Sequence, residues 1–509
     1  MRWTVEEVAR ALVPLRAGST NVETPLGLDP LARLAGVSID SRTLVRGQLF
    51  VAISGPNHDG HRFVAAALEA GALGAVVERK RLADYAEPVR TKLFPVEDTL
   101  AALQELARAV RRKWGRRLAA VTGSVGKTTT KEILAALLGA KFRVLKSEGN
   151  LNNEYGLPLA LLRLDPEHEA AVVELGMNHR GELRRLASIA EPEVGVVTRV
   201  APVHLEFFAS VDEIALAKRE LIEGLTGSNP LAVLNADDER VAGFAQVIHE
   251  RGSGRVLTFG LASGARFRAE NIEDRGAEGT SFDFVGPLAG DATGHAVAAA
   301  GRRRLDLNLP GRHNVVNALA ALAAASEWGI GASEAAQVFP KLVVGEMRGR
   351  LLRFAEGFAV INDCYNSNPV ALAAMAELLA RTPGYRRRVL VAGQMLELGP
   401  ESPRLHRQAG EHAAALKLDA IFGVQGDASE IAAGATASGL PAGGARFFAD
   451  SAEAAAFVAE NVQPGDLLLI KGSRGVKMER IVESLKARHA LAPESAEIAA
   501  GSPAQRGLH

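Results

Sequence analysis

Residues 116–142 read RRLAAVTGSVGKTTTKEILAALLGAKF, in which an apolar run is followed by a glycine-rich turn and a helix-forming segment. The turn, TGSVGKTTT (122–130), contains a Gly-Lys-Thr triplet of the kind that holds phosphate groups. The common phosphate-binding loop has the pattern G-x-x-x-x-G-K-[ST], but the residue five positions before Gly126 is Val121. The sequence therefore predicts a shortened phosphate-binding loop between a strand and a helix.

The residues of this loop supply the chemistry that a phosphate cradle needs. Backbone N–H groups from Gly123 to Thr128 can point inward, and the N-terminus of the following helix adds a favourable dipole. Lys127 can neutralise β- and γ-phosphate oxygens, and the Thr128 hydroxyl can ligate Mg²⁺. The alternative is a glycine turn that only connects a strand to a helix. Because strand, glycines, lysine and threonine occur together, the sequence favours nucleotide binding.

The order of strands and helices repeats on the C-terminal side of the loop. Strand-like runs follow at AAVVELG (170–176), VGVVTRV (194–200) and LAVLN (231–235), with helical segments between them. Such alternation predicts a mostly parallel sheet with flanking helices. Short segments rich in Gly and Arg at 254–310 predict antiparallel strands on the same domain.

Length and pattern together predict an α/β protein of three domains. A chain of 509 residues is long enough for about three domains of ~100–200 residues each. The strand–helix alternation also occurs before the central segment and resumes after it. The predicted units are a small N-terminal α/β domain (1–95), a central domain with the phosphate-binding loop (96–340), a C-terminal Rossmann-like domain (341–490) and a polar, disordered tail (491–509).

The composition indicates in which cellular compartment the protein works and which classes of partner it binds. The chain has 59 Lys+Arg and 59 Asp+Glu residues, a balance that gives no support to a nucleic-acid-binding or membrane-surface role. The single cysteine, Cys364, cannot form an intramolecular disulfide, which is typical of a reducing cytoplasm. The N-terminal stretch MRWTVEEVARALVPL predicts an amphipathic helix rather than a signal peptide, and no apolar run reaches the ~18 residues of a membrane span. We therefore expect a cytoplasmic protein without integral membrane association.

Three further residues stand where a metal bound to phosphates would need ligands. Glu174 ends an apolar strand, at the edge where ligands of parallel sheets bind, although a helix-capping or salt-bridged carboxylate is the alternative. His204 follows another strand, where a lone histidine is more often structural, and imidazole is an unusual ligand of magnesium. Lys218 lies in the helical stretch VDEIALAKREL, and on its own it is best interpreted as part of a solvated helix face.

Motifs along nearly the whole chain resemble those of the Mur ligase family. That family uses a T-G-x-x-G-K-T loop, which accounts for Val121 in the place of a glycine. The segment IDSRTLVRGQLFVAISGPNHDGH (39–61) is similar to the family's nucleotide-sugar-binding segment. The remaining motifs follow in the family's order: LNNEYGLP (151–158), ELGMN (174–178), APVHLEFF (201–208), AKRE (217–220), NADD (235–238), GRHNVVNALAA (311–321), RGRL (348–351), NDCYNSNP (362–369) and KGSRGVKME (471–479).

The resemblance implies that the central domain binds ATP and that the C-terminal domain reaches the nucleotide as well. Most of the implied contacts come from the loop, two come from an adenine-side helix motif, and two come from the third domain. These residues are Gly123, Ser124, Val125, Gly126, Lys127, Thr128 and Thr129 of the loop, Asn314 and Asn317 of the helix, and Arg350 and Asp363 of the third domain.

The resemblance also implies two Mg²⁺ ions and a modified lysine. Thr128 and Glu174 match ligands of the first ion, and His204 matches a ligand of the second. Lys218 matches a lysine that CO₂ carbamylates in this family, which turns a cation into an anion that can approach the metal. Lys127, His204 and Lys218 are the implied catalytic residues.

Two groups of residues are implied to hold the other substrates. Those of the first group match the site for the uridine diphosphate end of one substrate: Ser41, Arg42, Asn57, His58 and Asn153. Those of the second group match the site for a dipeptide: Asn366, Asn368, Lys471 and Arg474. One departure is Gln394 in VAGQMLELG (391–399), where the family usually carries an acidic residue.

The implied reaction is ATP-dependent formation of an amide bond in the synthesis of peptidoglycan precursors. The γ-phosphoryl group of ATP would pass to the terminal carboxylate of UDP-N-acetylmuramoyl-tripeptide, and the amine of D-alanyl-D-alanine would then attack the acyl phosphate. No nucleophilic side chain of the protein is needed, which fits a sequence without a Ser/His/Asp or Cys/His constellation. The implied partners are small molecules only, and we expect a monomer in which the third domain closes over the nucleotide.

Three other functions remain as alternatives. A family member that adds the third amino acid typically carries a D-N-P-R signature, but this chain reads N-S-N-P-V with Val370 in the place of the arginine. A folate polyglutamylating ligase would not need the 39–61 segment. A nucleotide-dependent scaffold without turnover would be expected to lack Lys218 or His204, and both are present.

Overall fold

A computed structural model describes residues 3–13, 24–55, 58–288, 300–343, 345–441, 443–493 and 495 of the protein. The described residues form three sheets, each covered by helices. We call the three sheets with their helices the N-terminal unit (up to residue 96), the central unit (99–343) and the C-terminal unit (from 345). The α/β architecture predicted from the sequence, with a small first sheet and two larger ones, is confirmed.

The N-terminal unit contains a small sheet of four parallel strands in the order β1-β2-β3-β4. The strands are β1 (Gly36–Ser38), β2 (Gln48–Val51), β3 (Gly74–Glu78) and β4 (Leu93–Val96). The helices are α1 (Val5–Ala11), α2 (Val64–Glu69) and α3 (Glu87–Arg90), with 3₁₀ turns at Gly60–Phe63 and Arg79–Asp84. The predicted N-terminal amphipathic helix is present, and the Thr4 hydroxyl and the Glu7 carboxylate cap it reciprocally.

A long helix, α4 (Thr99–Trp114), connects the first sheet to the second. The Asp98 carboxylate accepts hydrogen bonds from the N–H groups of Leu100 and Ala101, which satisfies donors that the first turn leaves free. Gly115 ends the helix in the left-handed conformation, and three basic residues lie in the last turn, where they complement the helix dipole. Its apolar face joins one core with residues of both units. The helix thereby fixes the N-terminal unit against the central one.

The central unit contains a nine-stranded sheet in the order β13-β12-β11-β10-β9-β8-β5-β7-β6. Its strands are β5 (Leu118–Thr122), β6 (Val144–Lys146), β7 (Ala170–Glu174), β8 (Val194–Val197), β9 (Leu231–Asn235), β10 (Arg255–Gly260), β11 (Phe267–Asp274), β12 (Thr280–Pro287) and β13 (Ala300–Leu307). Strands β5 to β11 pair in parallel, and β12 pairs antiparallel with both of its neighbours. The antiparallel strands predicted at 254–310 are therefore present on the same sheet, although β10 in that range is parallel.

Helices cover both faces of this sheet, and its central strands β5, β7, β8 and β9 are therefore buried on both sides. They are α5 (Lys127–Gly139), α6 (Gly156–Leu161), α7 (Glu182–Ala190), α8 (Val211–Glu223), α9 (Glu239–Ala242), α10 (Ala245–Arg251), α11 (Arg312–Ala325) and α12 (Ala332–Val338). Shorter 3₁₀ turns lie at Gly276–Glu278, Ser326–Trp328 and Phe339–Lys341. Helices α5 and α11 pack on the same face, so the loop before α5 lies beside the start of α11.

The C-terminal unit contains a six-stranded sheet in the order β14-β15-β19-β16-β17-β18. Its strands are β14 (Arg350–Arg353), β15 (Ala359–Asp363), β16 (Arg387–Gly393), β17 (Ala420–Val424), β18 (Ala445–Phe448) and β19 (Asp466–Lys471). Only β14 is antiparallel. The helices are α13 (Pro369–Arg381), α14 (Ser402–Ala415), α15 (Ser429–Ala437), α16 (Ser451–Asn461) and α17 (Glu479–Arg488), with 3₁₀ turns at Gly399–Glu401, Gly426–Ala428 and Arg474–Val476.

The ends of the chain add two observations. Leu491 forms an antiparallel bridge with Phe354, so the described chain continues beyond the predicted C-terminal domain. Most of the tail that the sequence predicts to be disordered, residues 494 and 496–509, lies outside the described residues. No described helix combines the length and the apolar character that a membrane crossing would require.

Candidate functional site

A cleft of about 840 Å³ lies between the central and C-terminal units. Strands β5, β7, β8 and β9 end at it, as ligand sites of parallel sheets require. The cleft brings together most of the residues that the sequence predicted for ATP, metal and dipeptide binding. Those that line it are Ser124, Val125, Gly126, Lys127, Thr128, Thr129, Glu174, His204, Asn314, Asn317, Asp363, Asn366, Asn368, Lys471 and Arg474. Asn153, which was predicted for the UDP substrate, lines the cleft as well.

The loop after β5 has the shape of a phosphate cradle, and two glycines make this shape possible. Gly126 has a φ of 84°, and a Cβ there would lie 2.3 Å from Oδ1 of Asn317. Gly123 has a φ of 148°, and a Cβ there would lie 1.9 Å from Oγ1 of Thr198. Both positions therefore exclude a side chain by conformation and by contact. Helix α5 begins at Lys127, so its free N–H groups face the same space.

The Lys127 ammonium folds back onto the loop. Its Nζ donates to the carbonyl oxygen of Gly123 at 2.7 Å and lies 3.4 Å from that of Ser124. Burial lowers the pKa of Lys127, the nearby Glu174 carboxylate opposes this shift, and the Arg348 guanidinium adds to it. Carbonyl oxygens are weak partners for an ammonium group compared with phosphate oxygens. The lysine is therefore held in place for a stronger anionic partner.

Thr128 and Glu174 meet at the edge of the sheet. The Thr128 hydroxyl donates to Oε2 of Glu174 at 2.7 Å, and Nδ2 of Asn152 donates to Oε1 at 2.9 Å. Glu174 is only 3% exposed and caps no helix. A hydroxyl and a carboxylate at this distance are oxygen ligands that suit Mg²⁺. Among the described residues, no group of three or more His, Cys, Asp or Glu side chains converges as a metal site.

Lys218 is not on a solvated helix face, because it is 1% exposed. Desolvation by burial lowers its pKa well below the usual range, and the charge of Lys127 contributes in the same direction. The acids of its own helix are engaged elsewhere: Glu220 accepts hydrogen bonds from the N–H groups of Gly181 and Arg184 at the start of α7. Within the described part of the chain, no hydrogen bond or ion pair is recorded for the Lys218 ammonium. Burial therefore favours the neutral amine form of this lysine more than it would for an exposed lysine.

His204 reaches across the cleft to a residue that the sequence analysis missed. Its Nδ1 lies 2.5 Å from Oε2 of Glu397, which belongs to the C-terminal unit. Both residues have a positive φ, 57° and 63°, which side-chain-bearing residues rarely adopt. Hydrogen bonding to His204 lowers the pKa of Glu397. The pair leaves Nε2 of His204 as the nitrogen available to a metal ion.

The two asparagines of α11 form a hydrogen-bonded layer beneath the loop. Asn317 Nδ2 donates to Asn314 Oδ1 at 3.1 Å, and Asn314 Nδ2 donates to the Pro310 carbonyl at 2.8 Å. The Thr130 hydroxyl lies 3.4 Å from Asn317 Oδ1, the atom that also faces Gly126. The two asparagines thus support the loop, and their contact with adenine stays a prediction.

On the opposite wall, the C-terminal unit presents a buried ion pair. Lys471 Nζ donates to Asp363 Oδ2 at 2.6 Å and to the Asn366 carbonyl at 2.8 Å. Asn368 caps α13 by accepting from the Ala371 N–H. Arg474 is paired with Glu479 at 3.0 Å and remains 58% exposed. These residues place a cation, a carboxylate and amides where a peptide substrate could meet the nucleotide.

Two residues of the segment RGRL are placed differently from each other. Arg350 pairs with Glu346 and does not line the cleft. Arg348, which the sequence analysis did not select, lines it and contacts Thr128. Residues two apart on one strand would share a face, but Arg348 lies in the turn before β14 and only Arg350 belongs to the strand. The turn therefore separates the two side chains.

The residues predicted for the UDP substrate lie in the N-terminal unit, apart from Asn153. Ser41, Arg42 and His58 do not line the cleft, and Asn57 lies outside the described residues. The Arg42 guanidinium is 77% exposed and forms a two-pronged pair with Asp40, which holds the pKa of that carboxyl below its usual range. The N-terminal unit thus offers a pre-oriented cation on an open surface.

Two other predicted features have plain structural roles. Gln394 lies against Gly426, and a Cβ at Gly426 would be 2.3 Å from Oε1 of Gln394. Gln394 does not line the cleft. Cys364 is buried and donates to the Ile470 carbonyl at 3.4 Å, and burial raises the pKa of its thiol. Neither residue reaches the candidate site.

Comparisons with known proteins agree with this geometry. Three domain families match the chain: the Mur ligase family catalytic domain at residues 33–111, the Mur ligase middle domain at 121–325 and the Mur ligase glutamate ligase domain at 347–474. The UDP-N-acetylmuramoyl-tripeptide–D-alanyl-D-alanine ligase of Escherichia coli (strain K12) is 38% identical over 460 residues, which are 89% of this chain and 94% of that protein.

Solved structures give the same result. MurF from Acinetobacter baumannii is 30% identical, with a TM-score of 0.82 over 96% of this chain and 99% of that one. MurF ligase from Thermotoga maritima, solved in complex with ADP, is 29% identical, with a TM-score of 0.74 over 89% of this chain and 97% of that one. Collinear motifs, three matching domains and full-length relatives lead to one conclusion: the chain belongs to the Mur ligase family.

Proposed function

We infer that this protein is an ATP-dependent amide ligase that joins D-alanyl-D-alanine to UDP-N-acetylmuramoyl-tripeptide in the synthesis of peptidoglycan precursors. Proteins named UDP-N-acetylmuramoyl-tripeptide–D-alanyl-D-alanine ligase match this chain over most of its length. The observation that carries the inference is the single cleft in which the phosphate loop faces Lys471 and Asn366 of the C-terminal unit. ATP and an acceptor peptide can therefore meet at one place.

The residues of the cleft suit a reaction through an acyl phosphate. A carboxylate is a poor electrophile, and its phosphorylation supplies a good leaving group. Lys127 and the N–H groups of the loop would stabilise the charge on the transferred phosphoryl group. Mg²⁺, held by Thr128 and Glu174, would neutralise phosphate oxygens. Closure of the cleft between the two units would keep water from the acyl phosphate until the amine arrives.

We also propose that His204 and a carbamylated Lys218 hold a second Mg²⁺. The support for the lysine is its burial, its lowered pKa and its lack of a recorded acidic partner in the described chain. Carbamylation joins the neutral amine nitrogen to the carbon of CO₂ and releases a proton, which leaves an anionic oxygen group. A nearby cation favours that anion.

We further propose a monomer in the cytoplasm. The cleft is built from one chain, so no second copy is required to complete it. A single, buried cysteine suits a reducing compartment. The domain limits 1–95, 96–340 and 341–490 stay proposals, with α4 as the connection between the first two.

The main alternative is a ligase that adds a free diamino acid to the UDP-linked dipeptide. Such an acceptor carries a carboxylate beside its reacting amine, and a cation would be expected to bind it. Val370 lines the cleft at the position where an arginine would be expected for that reaction. The apolar side chain therefore favours the dipeptide as the incoming substrate.

An isotope experiment tests the acyl phosphate. UDP-tripeptide labelled with ¹⁸O in its terminal carboxylate should transfer one ¹⁸O atom to the released phosphate, because the bridging oxygen leaves with phosphorus. Mass spectrometry of the phosphate measures this transfer. Amide formation with unlabelled phosphate would contradict the proposed route.

Arg42→Ala should raise the KM for the UDP substrate, with little effect on the KM for ATP. The guanidinium is exposed and oriented by Asp40, so it can bond a diphosphate in two places. We expect a rise of about 10-fold, the scale of one charge-assisted contact. Steady-state kinetics with each substrate varied in turn measures the two constants, and Arg46→Ala in the same unit is the control. A change in the ATP constant alone would contradict the assignment of this unit.

A further inference from the structure

A loop of the C-terminal unit carries Glu397 to the cleft, and a buried histidine of the next α-helix holds this loop. His406 lies in α14 and is 0% exposed. Its Nε2 accepts a hydrogen bond from the backbone N–H of Met395 at 2.8 Å. Its Nδ1 donates to the carbonyl oxygen of Ser402 at 2.7 Å. His406 therefore connects the loop to the first turn of its own helix.

The two contacts determine which form of the His406 imidazole is present. A ring nitrogen that accepts from an N–H carries no proton, so the proton of the neutral ring is on Nδ1. Protonation of Nε2 would set a second N–H against that of Met395. Burial lowers the pKa of His406, although the hydrogen bond to Ser402 opposes this shift. The neutral ring thus uses both nitrogens inside the fold, and it does not line the cleft.

The contact with Met395 is needed because this part of the loop is buried. Met395 is 1% exposed, and a buried N–H without an acceptor is destabilising. The next N–H along the chain, that of Leu396, donates to the Ser473 hydroxyl at 2.9 Å. Two side chains from separate elements therefore hold consecutive peptide groups of the loop, directly before Glu397.

Anchoring of the loop matters because Glu397 is held in an unfavourable backbone conformation. Its φ is 63°, in the left-handed region that a residue with a side chain rarely adopts. In this conformation its carboxylate crosses the cleft, and Oε2 lies 2.5 Å from Nδ1 of His204. The Glu397 carbonyl oxygen also accepts from the N–H of Glu206 at 3.4 Å. A loosened loop could relax its backbone and withdraw the carboxylate from the imidazole.

We propose that His406 is a positioning residue for the ligase reaction: it fixes the backbone before Glu397, and Glu397 orients the His204 imidazole. The inference rests on the proposed function, in which His204 binds Mg²⁺. A carboxylate on one ring nitrogen of a metal-binding histidine sets the tautomer and the direction of the other nitrogen. His406 thereby acts on the site through Glu397, without contact to substrate.

Two amide variants of the full-length protein separate the two contacts of His406. Glutamine can place its amide oxygen where Nε2 of the imidazole lies and accept from Met395, whereas asparagine reaches only the position of Nδ1. His406→Asn should lower the initial rate of ADP formation by about 10- to 100-fold, the scale of losing an outer partner of a metal-binding histidine. It should also raise the Mg²⁺ concentration that gives half of the maximal rate. His406→Gln should lose less than about 3-fold, because it keeps the acceptor.

Hydrogen exchange of the nucleotide-free protein gives a readout that does not depend on activity. Mass spectrometry should show faster exchange of peptides that cover residues 394–398 in His406→Asn than in the wild type or in His406→Gln. The matched control is His412→Asn on the same helix, where the side chain is 40% exposed and outside the cleft. This control should change neither the rate nor the exchange.

A double-variant cycle distinguishes positioning through Glu397 from a general loss of stability. Once Glu397→Ala has lowered the rate, adding His406→Asn should lower it by less than about 3-fold more, because the two act in one chain of contacts. Fully additive losses, or a normal rate in folded His406→Asn, would overturn the inference. A folded His406→Gln that loses as much as Glu397→Ala would overturn it even where His406→Asn does not fold. A wild-type protein that forms no ADP would instead contradict the proposed function.

Discussion

Lys127→Ala is expected to reduce ATP-dependent phosphate release by at least about 10²-fold, the scale of removing one preorganised charge stabiliser. The ammonium is held by carbonyl oxygens of the phosphate loop, at the start of α5 and beside Glu174. Its removal takes one fixed positive charge away from the phosphoryl group. A coupled assay of phosphate release under saturating substrates measures the loss.

A surface lysine serves as the control for this variant. Lys141 follows α5, is 46% exposed and pairs with Glu334. Lys141→Ala should retain normal turnover. Thermal unfolding of both variants checks that the fold is intact. Turnover near the wild-type value in folded Lys127→Ala would contradict the interpretation of residues 122–130 as a phosphate cradle.

Lys218→Ala is expected to be nearly inactive, again with a loss of at least about 10²-fold, and short carboxylic acids should restore part of the activity. Acetate or formate can enter the space vacated by the buried side chain and supply an anion in the place of the carbamate. Lys218→Arg should remain inactive, because arginine keeps the positive charge and does not form a comparable carbamate. Initial rates measured against acetate concentration give the extent of rescue.

Restoration of activity by acetate should be specific to position 218. Acetate should not restore Lys127→Ala, since that variant lacks a cation rather than an anion. Circular dichroism of Lys218→Ala checks that the loss of activity does not come from a loss of folded structure. Full activity in Lys218→Arg would show that a cation is sufficient at this site and would end the carbamate proposal.

The strands, loop and helix that form the site could be predicted from sequence, because each is determined by a short run of neighbouring residues. The strand–loop–helix pattern of residues 116–142 corresponds to β5 (Leu118–Thr122) and α5 (Lys127–Gly139). Glu174 was placed at a strand end, and it ends β7. In each case a short run of apolar residues determines where a strand stops, and the polar residue that follows it reaches the sheet edge.

The burial of Lys218 was missed although the sequence contains a signal for it. Counting along α8, Lys218 lies four residues after Ile214 and three before Leu221, both of which are buried. This spacing places the lysine on the apolar face of the helix. Lysine as a residue type suggests a position in solvent. The helical period of the surrounding residues instead indicates that Lys218 faces the core.

The contacts of Arg348 and Glu397 could not have been predicted in this way. Their partners Thr128 and His204 lie 220 and 193 positions away in the chain. Such contacts depend on how one sheet and its helices are placed against another, which no local period encodes. Positive φ at His204 and Glu397 is likewise not encoded by any local period of the sequence.

A product assay distinguishes addition of a dipeptide to a UDP-linked tripeptide from addition of a free amino acid to a UDP-linked dipeptide. The full-length protein is incubated with ATP and Mg²⁺, together with either UDP-tripeptide and D-alanyl-D-alanine or UDP-dipeptide and a free diamino acid, and the UDP-linked products are weighed by mass spectrometry. We expect a product heavier by one D-alanyl-D-alanine residue unit in the first mixture, with ADP formed in equal amount, and no product in the second. Product in the second mixture alone would contradict it.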